Sequence, residues 1–229
     1  GKPEHPVGTS VATTNVCDAL FNAMQAVFGD LGEPYGISEG TGGTQPHCSV
    51  VSGTDFRRDD EYFINQLIFN AGGGASCYGH DGWITYGQSN NNGVVTLESV
   101  ENAEQNYPIL VHQYELATDT GGAGRWRGGP GVKIELGPRE DEMTAAYCNM
   151  QTEYPPQGIV GGGDGETTEV YKRTRDGELE QLPGMGYPTF EPGETLVSTM
   201  CGGGGYGDPT DRDPNAVKRD VESGLVSTE

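Results

Sequence analysis

Glycine constrains this chain more than any other feature. It supplies 38 of 229 residues, and most of these fall in four clusters: AGGGASCYGHDGW (71–83), GGAGRWRGGPG (121–131), QGIVGGGDG (157–165) and CGGGGYGDP (201–209). Glycine weakens the interior of helices and strands because it has most backbone freedom to lose, so such a chain folds into short elements joined by shaped loops. The 14 prolines act in the same direction. The glycines have no period of three, which excludes a collagen-like helix. No apolar run approaches ~20 residues, which excludes a transmembrane helix. A basic segment followed by an apolar one is absent near the start, so no signal peptide is expected.

The formal net charge is -21, from 34 acidic and 13 basic residues. Phosphate backbones and anionic lipid surfaces need a basic face, so neither nucleic acid nor a membrane is an expected partner. The acids spread along the whole chain, as in a solvated surface adapted to high salt, where screening relieves repulsion between carboxylates. A halophilic source is therefore expected. The five cysteines (Cys17, Cys48, Cys77, Cys148, Cys201) are widely spaced without a CxxC pair. They read as free thiols in a reducing compartment, hence cytoplasmic. His5, His47, His80 and His112 lack metal-ligand spacing, and no metal site is expected within the chain.

Apolar groups recur at Val16, Leu20, Ala23/Met24 and Val27. They predict one long helix capped by Thr9, Ser10 or Thr13 and stopped at Gly29 or Gly32. Strands are predicted at 49–52, 61–70, 108–116, 132–136, 143–150, 168–174 and 194–199 from alternation and β-branched content. Residues 94–101 suit a strand or the start of a helix, and Pro183 to Pro192 read as a loop. A short terminal helix has Asp213 as N-cap, Pro214 in its first turn, Val217 and Val221 on one face, and Gly224 at its end. The fold class is α+β: predominantly β with short strands and Gly-rich loops, a longer N-terminal helix and a short C-terminal one. Neither a sharp linker nor an internal repeat divides residues 1–229.

Four motifs carry candidate chemistry. Gly202, Gly203, Gly204 and Gly205 can cradle an anion on freed backbone N–H groups, or form a tight structural turn. Arg125 and Arg127 flank Trp126. They can clamp a carboxylate or phosphate, or pair with local acids and stack on the indole. His80 and Asp81, two residues before Trp83, can act as an acid/base pair or half a metal site, or simply order their loop. Glu98, Glu101 and Glu104 read as a solvated acidic face.

The order of PVGTSVATTN, GHDGW, YPILVHQYELATDTGGAGRWRGGPGV, QGIVGGG and CGGGGYGDPTDRDPNAVKRDVESGLVS closely resembles the C-terminal part of the hydantoinase B/oxoprolinase family, over almost the whole chain. The resemblance implies a component of an ATP-dependent enzyme that opens a cyclic amide (hydantoin, 5-oxoproline or a lactam) through a phosphorylated intermediate. Its partner would be a hydantoinase A-like, ATP-binding subunit. The alternatives are part of an ATP-dependent ketone carboxylase of the acetone or acetophenone type, and a non-catalytic assembly module. Family members are longer and carry their metal-binding residues in an N-terminal half. ATP and a divalent metal would thus be bound mainly outside this chain, which would also need that N-terminal half as a partner. On this resemblance His80 and Asp81 are the candidate catalytic residues. Trp83, Arg125, Trp126 and Arg127 are candidates for contact with substrate or partner, and Gly202–Gly205 form a structural loop.

Overall fold

A computed structural model describes residues 10–41, 50–67, 69, 72–84 and 97–228. His5, His47, Cys48 and Thr9 lie outside the described residues. The elements run α1 (Ser10–Gly29), β1 (Val50–Asp55), β2 (Glu61–Gln66), α2 (Val100–Asn106), β3 (Ile109–Ala117), β4 (Gly131–Pro138) and β5 (Met143–Cys148). They continue as β6 (Glu169–Arg173), β7 (Leu179–Gln181), β8 (Met185–Gly186), β9 (Thr189–Phe190), β10 (Thr195–Thr199) and α3 (Pro214–Glu222).

The strands form two antiparallel sheets. One has the order β2-β1-β5-β8, with β9 also paired to β5, and the other runs β3-β4-β10-β6-β7. Their inner faces share one apolar core. Val51, Met143, Ala145 and Phe190 from the first sheet meet Ile134, Leu136, Val170 and Leu196 from the second. The central strands β4 and β10 are buried along most of their length. The edge strand β3 is half exposed, and its register slips between Val111 and Gln113, which leaves His112 as the extra residue of a bulge. Helix α2 closes one end. Its Ala103 enters the core, and Arg57 bridges to it by holding Asp55 with two hydrogen bonds and donating to the Glu104 carbonyl.

Several boundaries differ from those the sequence predicts. The strand expected over 61–70 ends at Gln66, and Leu67 and Phe69 turn into the core instead. The 94–101 segment resolves as the approach to α2, capped by Ser99, whose hydroxyl accepts from Asn102 N–H. Glu104 is not a purely solvated acid, because its carboxylate accepts from Val111 N–H. Within the expected loop from Pro183 to Pro192, β8 and β9 form two-residue pairings with β5.

The glycine clusters make a third body beside the sheets. Gly202–Gly205 is its central segment, and it is extended, not a tight turn. None of these four glycines has positive φ; Gly207 is the first that does, at 76°. Successive N–H groups radiate to three different neighbours: Gly203 donates to the Gly129 carbonyl at 2.9 Å, Gly204 to Glu39 at 2.8 Å and Gly205 to Gly163 at 2.9 Å. A run bonded in this way is held by other segments and not by itself. The returning bonds come from Gly122 to the Gly203 carbonyl, from the Ser38 and Ser76 hydroxyls to Gly204, and from Ile159 to Gly205. Glycine is required here by contact. A Cβ at Gly203 would overlap the Gly74 carbonyl oxygen, and one at Gly128 would overlap that of Gly203.

Candidate functional site

The GHDGW and GRWRGG loops meet on this glycine body. Gly82 N–H donates to the Arg127 carbonyl at 2.7 Å, and Gly129 N–H donates to the Gly74 carbonyl at 2.8 Å. Trp126 and Tyr206 exchange both backbone bonds, at 3.0 and 2.9 Å, which ties the second loop to the end of the glycine run. The motifs that stand far apart in sequence are thus parts of one rigid surface.

Asp81 is the hinge between them. Its Oδ1 accepts from Arg127 N–H at 2.7 Å, and Arg212 grips both its oxygens, at 2.7 and 2.9 Å. Arg212 also donates to Asp220 Oδ2 at 2.6 Å and to the Arg125 carbonyl at 3.0 Å. The Arg127 Nε lies 3.4 Å from Asp220 Oδ1, and its Nη1 donates to the Gly128 carbonyl. Two arginines and two aspartates therefore form a charge-balanced network. Three of these side chains are at most 10 % exposed, and Asp81 is 38 % exposed at the open end. Burial alone would raise the Asp81 pKa. The Arg212 hydrogen bonds and charge, with those of Arg127, outweigh it and hold the carboxyl below the ordinary carboxylate range. Burial likewise opposes the charge of Arg212, and its two aspartate partners overcome that and raise its pKa.

The other candidate residues have different surroundings. His80 is exposed, and its backbone forms a two-way bridge with Cys77. Among the described residues no hydrogen bond joins the His80 ring to Asp81. Trp83 is exposed, with its carbonyl fixed by Gly74 N–H. Arg125 pairs with Glu33 at 3.3 Å, and its guanidinium lies 4.6 Å over the Trp126 ring. Trp126 in turn packs against Tyr78 and Tyr206, with ring centroids 4.8 and 5.6 Å away. Of the two roles open to these arginines, the geometry matches pairing with local acids and stacking on the indole.

Sequence reasoning missed Arg212 and Asp220. The signal for Asp220 was its place three residues after Val217 on α3, an acid on the face expected to be apolar. The structure turns that helix so that Asp220 is buried and Val217 exposed. An ion network, more than an apolar stripe, holds α3. Arg212 is the single base in GDPTDRDP, and nothing in that stretch names its partner.

The N–H groups of Gly203, Gly204 and Gly205 all donate to carbonyls, so these three are not turned towards an anion. Among the described residues no group of three or more His, Cys, Asp or Glu is arranged to hold a metal ion. No helix among them is long and apolar enough to cross a membrane.

Comparison with known proteins bears directly on this surface. The chain is 33 % identical to caprolactamase subunit beta of Pseudomonas jessenii over 77 % of its length and 31 % of that protein's. It is 29 % identical to the acetophenone carboxylase delta subunit of Aromatoleum aromaticum, over 94 % of this chain and 36 % of the relative. The crystal structure of the ATP-dependent caprolactamase from P. jessenii superposes with a TM-score of 0.67 at 27 % identity, covering 80 % of this chain and 33 % of that one. The chain spans about a third of the length of these relatives. A match to the hydantoinase B/oxoprolinase family runs over residues 1–209, taking in both motif loops and the glycine run that packs them together, and the chain belongs to that family.

Proposed function

We propose that this chain, as a single portion over residues 1–229, is the C-terminal part of a hydantoinase B-type subunit in an ATP-dependent enzyme that opens a cyclic amide: a lactam, a hydantoin or 5-oxoproline. The observation that carries this reading is the 33 % identity to caprolactamase subunit beta over 77 % of the chain. The reading assigns ATP to a hydantoinase A-like partner and a divalent metal to the remainder of the B-type subunit; among the described residues no group of three or more His, Cys, Asp or Glu is arranged to hold a metal ion. The work would take place in the cytoplasm, where ATP is available and the thiols of Cys17, Cys77 and Cys201 stay reduced. The net charge of -21 supports a halophilic setting.

Within that enzyme the chain supplies a wall of the reaction site. His80 and Trp83, exposed on the GHDGW loop, meet the substrate or the facing subunit. Asp81, Arg127, Arg212 and Asp220 position the loop, and Arg125 with Trp126 forms its flank. Asp81 spends its lone pairs on Arg212 and on Arg127 N–H, which makes it an orienting group in preference to a proton acceptor.

The likeness to acetophenone carboxylase supports a second reading, ATP-dependent carboxylation of a ketone. One assay separates the two. The complex purified with this chain is given ATP and a panel of lactams, hydantoins and 5-oxoproline, or ATP, bicarbonate and a ketone. ADP and organic product are quantified together. Ring-opened product formed with ADP supports the first reading, and bicarbonate-dependent carboxylate overturns it in favour of the second. Turnover unchanged in both His80→Ala and Trp83→Ala would leave the chain an assembly module.

A further inference from the structure

Helix α1 is nearly uncharged in a strongly acidic chain. Asp18 is the single charged residue in Ser10–Gly29, although the chain carries 34 acids. Its apolar residues follow helical spacing, and Val16, Leu20, Phe21, Met24, Val27 and Phe28 are each between 51 and 68 % exposed. They form one broad stripe along a helix about 30 Å long. A stripe of this extent, depleted of charge, has the composition of an interface core and not of a solvated surface.

The stripe continues towards the candidate site. Beyond α1, Leu31 and Tyr35 are also exposed, and Tyr206 donates its hydroxyl hydrogen to the Tyr35 carbonyl at 2.7 Å. Ile37 then pairs with Cys77, which pairs with His80. The apolar surface thus leads from α1 to Tyr78 and Trp83, both exposed.

We infer that the α1 stripe is the docking face for the part of a hydantoinase B-type subunit that this chain does not span, and that this segment also closes over the His80–Trp83 loop. The occupant is identified by length and by continuity. About two thirds of the caprolactamase subunit beta lies outside the matched third. Exposed apolar residues run from α1 through Leu31, Tyr35 and Ile37 to Tyr78 and Trp83, so one segment laid along them reaches the candidate site. The inference rests on reading the chain as one part of a B-type subunit, and not on which ring the enzyme opens.

The test is site-specific photocrosslinking in the complex purified with the full chain. Leu20 or Phe28 is replaced by photoreactive benzoylphenylalanine, with Leu179 on β7 as an exposed control, and crosslinked peptides are identified by mass spectrometry. The expected result is crosslinking from both α1 positions, and not from the control, to B-type sequence outside this third, whether or not it is continuous with this chain. Crosslinks to a second copy of this chain or to an ATP-binding subunit, or none at all, overturn the inference. A Leu20→Asp, Met24→Asp variant supplies the second reading. Because both side chains are exposed, its melting temperature as the separate chain should stay unchanged. Its association with the B-type remainder should weaken at least about tenfold. Unchanged association overturns the docking face even where ring opening is observed. The expected crosslinks without any ATP-dependent ring opening would sink the activity and leave the docking face standing.

Discussion

Arg212 holds Asp81 through both carboxylate oxygens, at 2.7 and 2.9 Å, across 131 residues of chain. This contact, with Asp220 on the other side of the same guanidinium, fastens the C-terminal helix to the GHDGW loop. Removing one member of a buried ion network leaves the others uncompensated, which costs about 3 kcal/mol or more. Asp220→Ala should therefore lower the unfolding free energy by about 3 kcal/mol, read by urea denaturation. Arg212→Lys keeps the charge but loses the planar two-pronged grip, and should cost about 1–2 kcal/mol. Equal stability in both variants would contradict the role given to the network.

The glycine body predicts a sharp contrast between two substitutions. Gly203→Ala drives a methyl into the Gly74 carbonyl, between segments fixed by hydrogen bonds, and should destabilise by about 3 kcal/mol or more. Gly177→Ala has open space around it but keeps φ at +86°, so it should cost only about 1 kcal/mol. Thermal melting of the two variants side by side checks the difference.

Acid should act through the same carboxylates. Arg57 hydrogen bonds hold Asp55 below its ordinary range, and Asp81 is held low by Arg212 and Arg127 against the opposing effect of burial. A depressed folded-state pKa adds stability that is fully present above the unfolded value, near ~3.9, and lost as pH falls through the folded one. Urea titrations should show that contribution intact at neutral pH and lost below about pH 4. In Asp81→Asn the fall should be shallower. A fall as steep as in the unaltered chain would remove Asp81 from this account.

Salt tests the charge argument. With a net charge of -21, self-repulsion works against the folded state. Raising NaCl from about 0.1 to about 1 M shortens the screening length from ~10 to ~3 Å and should raise the melting temperature. A temperature that falls over that range would contradict the halophilic reading.

Much of the framework is legible in the sequence because it follows from local rules. The alternation in 108–116 gives β3, and Asp213 with Pro214 and Gly224 marks both ends of α3. The remainder depends on packing between distant segments. Two-residue pairings such as β8 with β5 carry no periodicity of their own. The glycine run reads locally as a turn, since its extended form depends on four other stretches (38–39, 71–83, 121–131 and 157–165) that bond to it. The candidate loops were visible as motifs, but what orders them was not. Arg212 meets Asp81 through tertiary packing alone, and no spacing rule spans 131 residues.

The most direct test of the central claim is reconstitution with and without this chain. The hydantoinase A-like subunit and the remainder of the B-type subunit are combined with ATP and a cyclic amide, and ADP and ring-opened product are measured over time. The account predicts product formed in step with ADP when the chain is present, and none when it is omitted. Equal turnover without the chain, or no turnover with it on any lactam, hydantoin or 5-oxoproline, would contradict it.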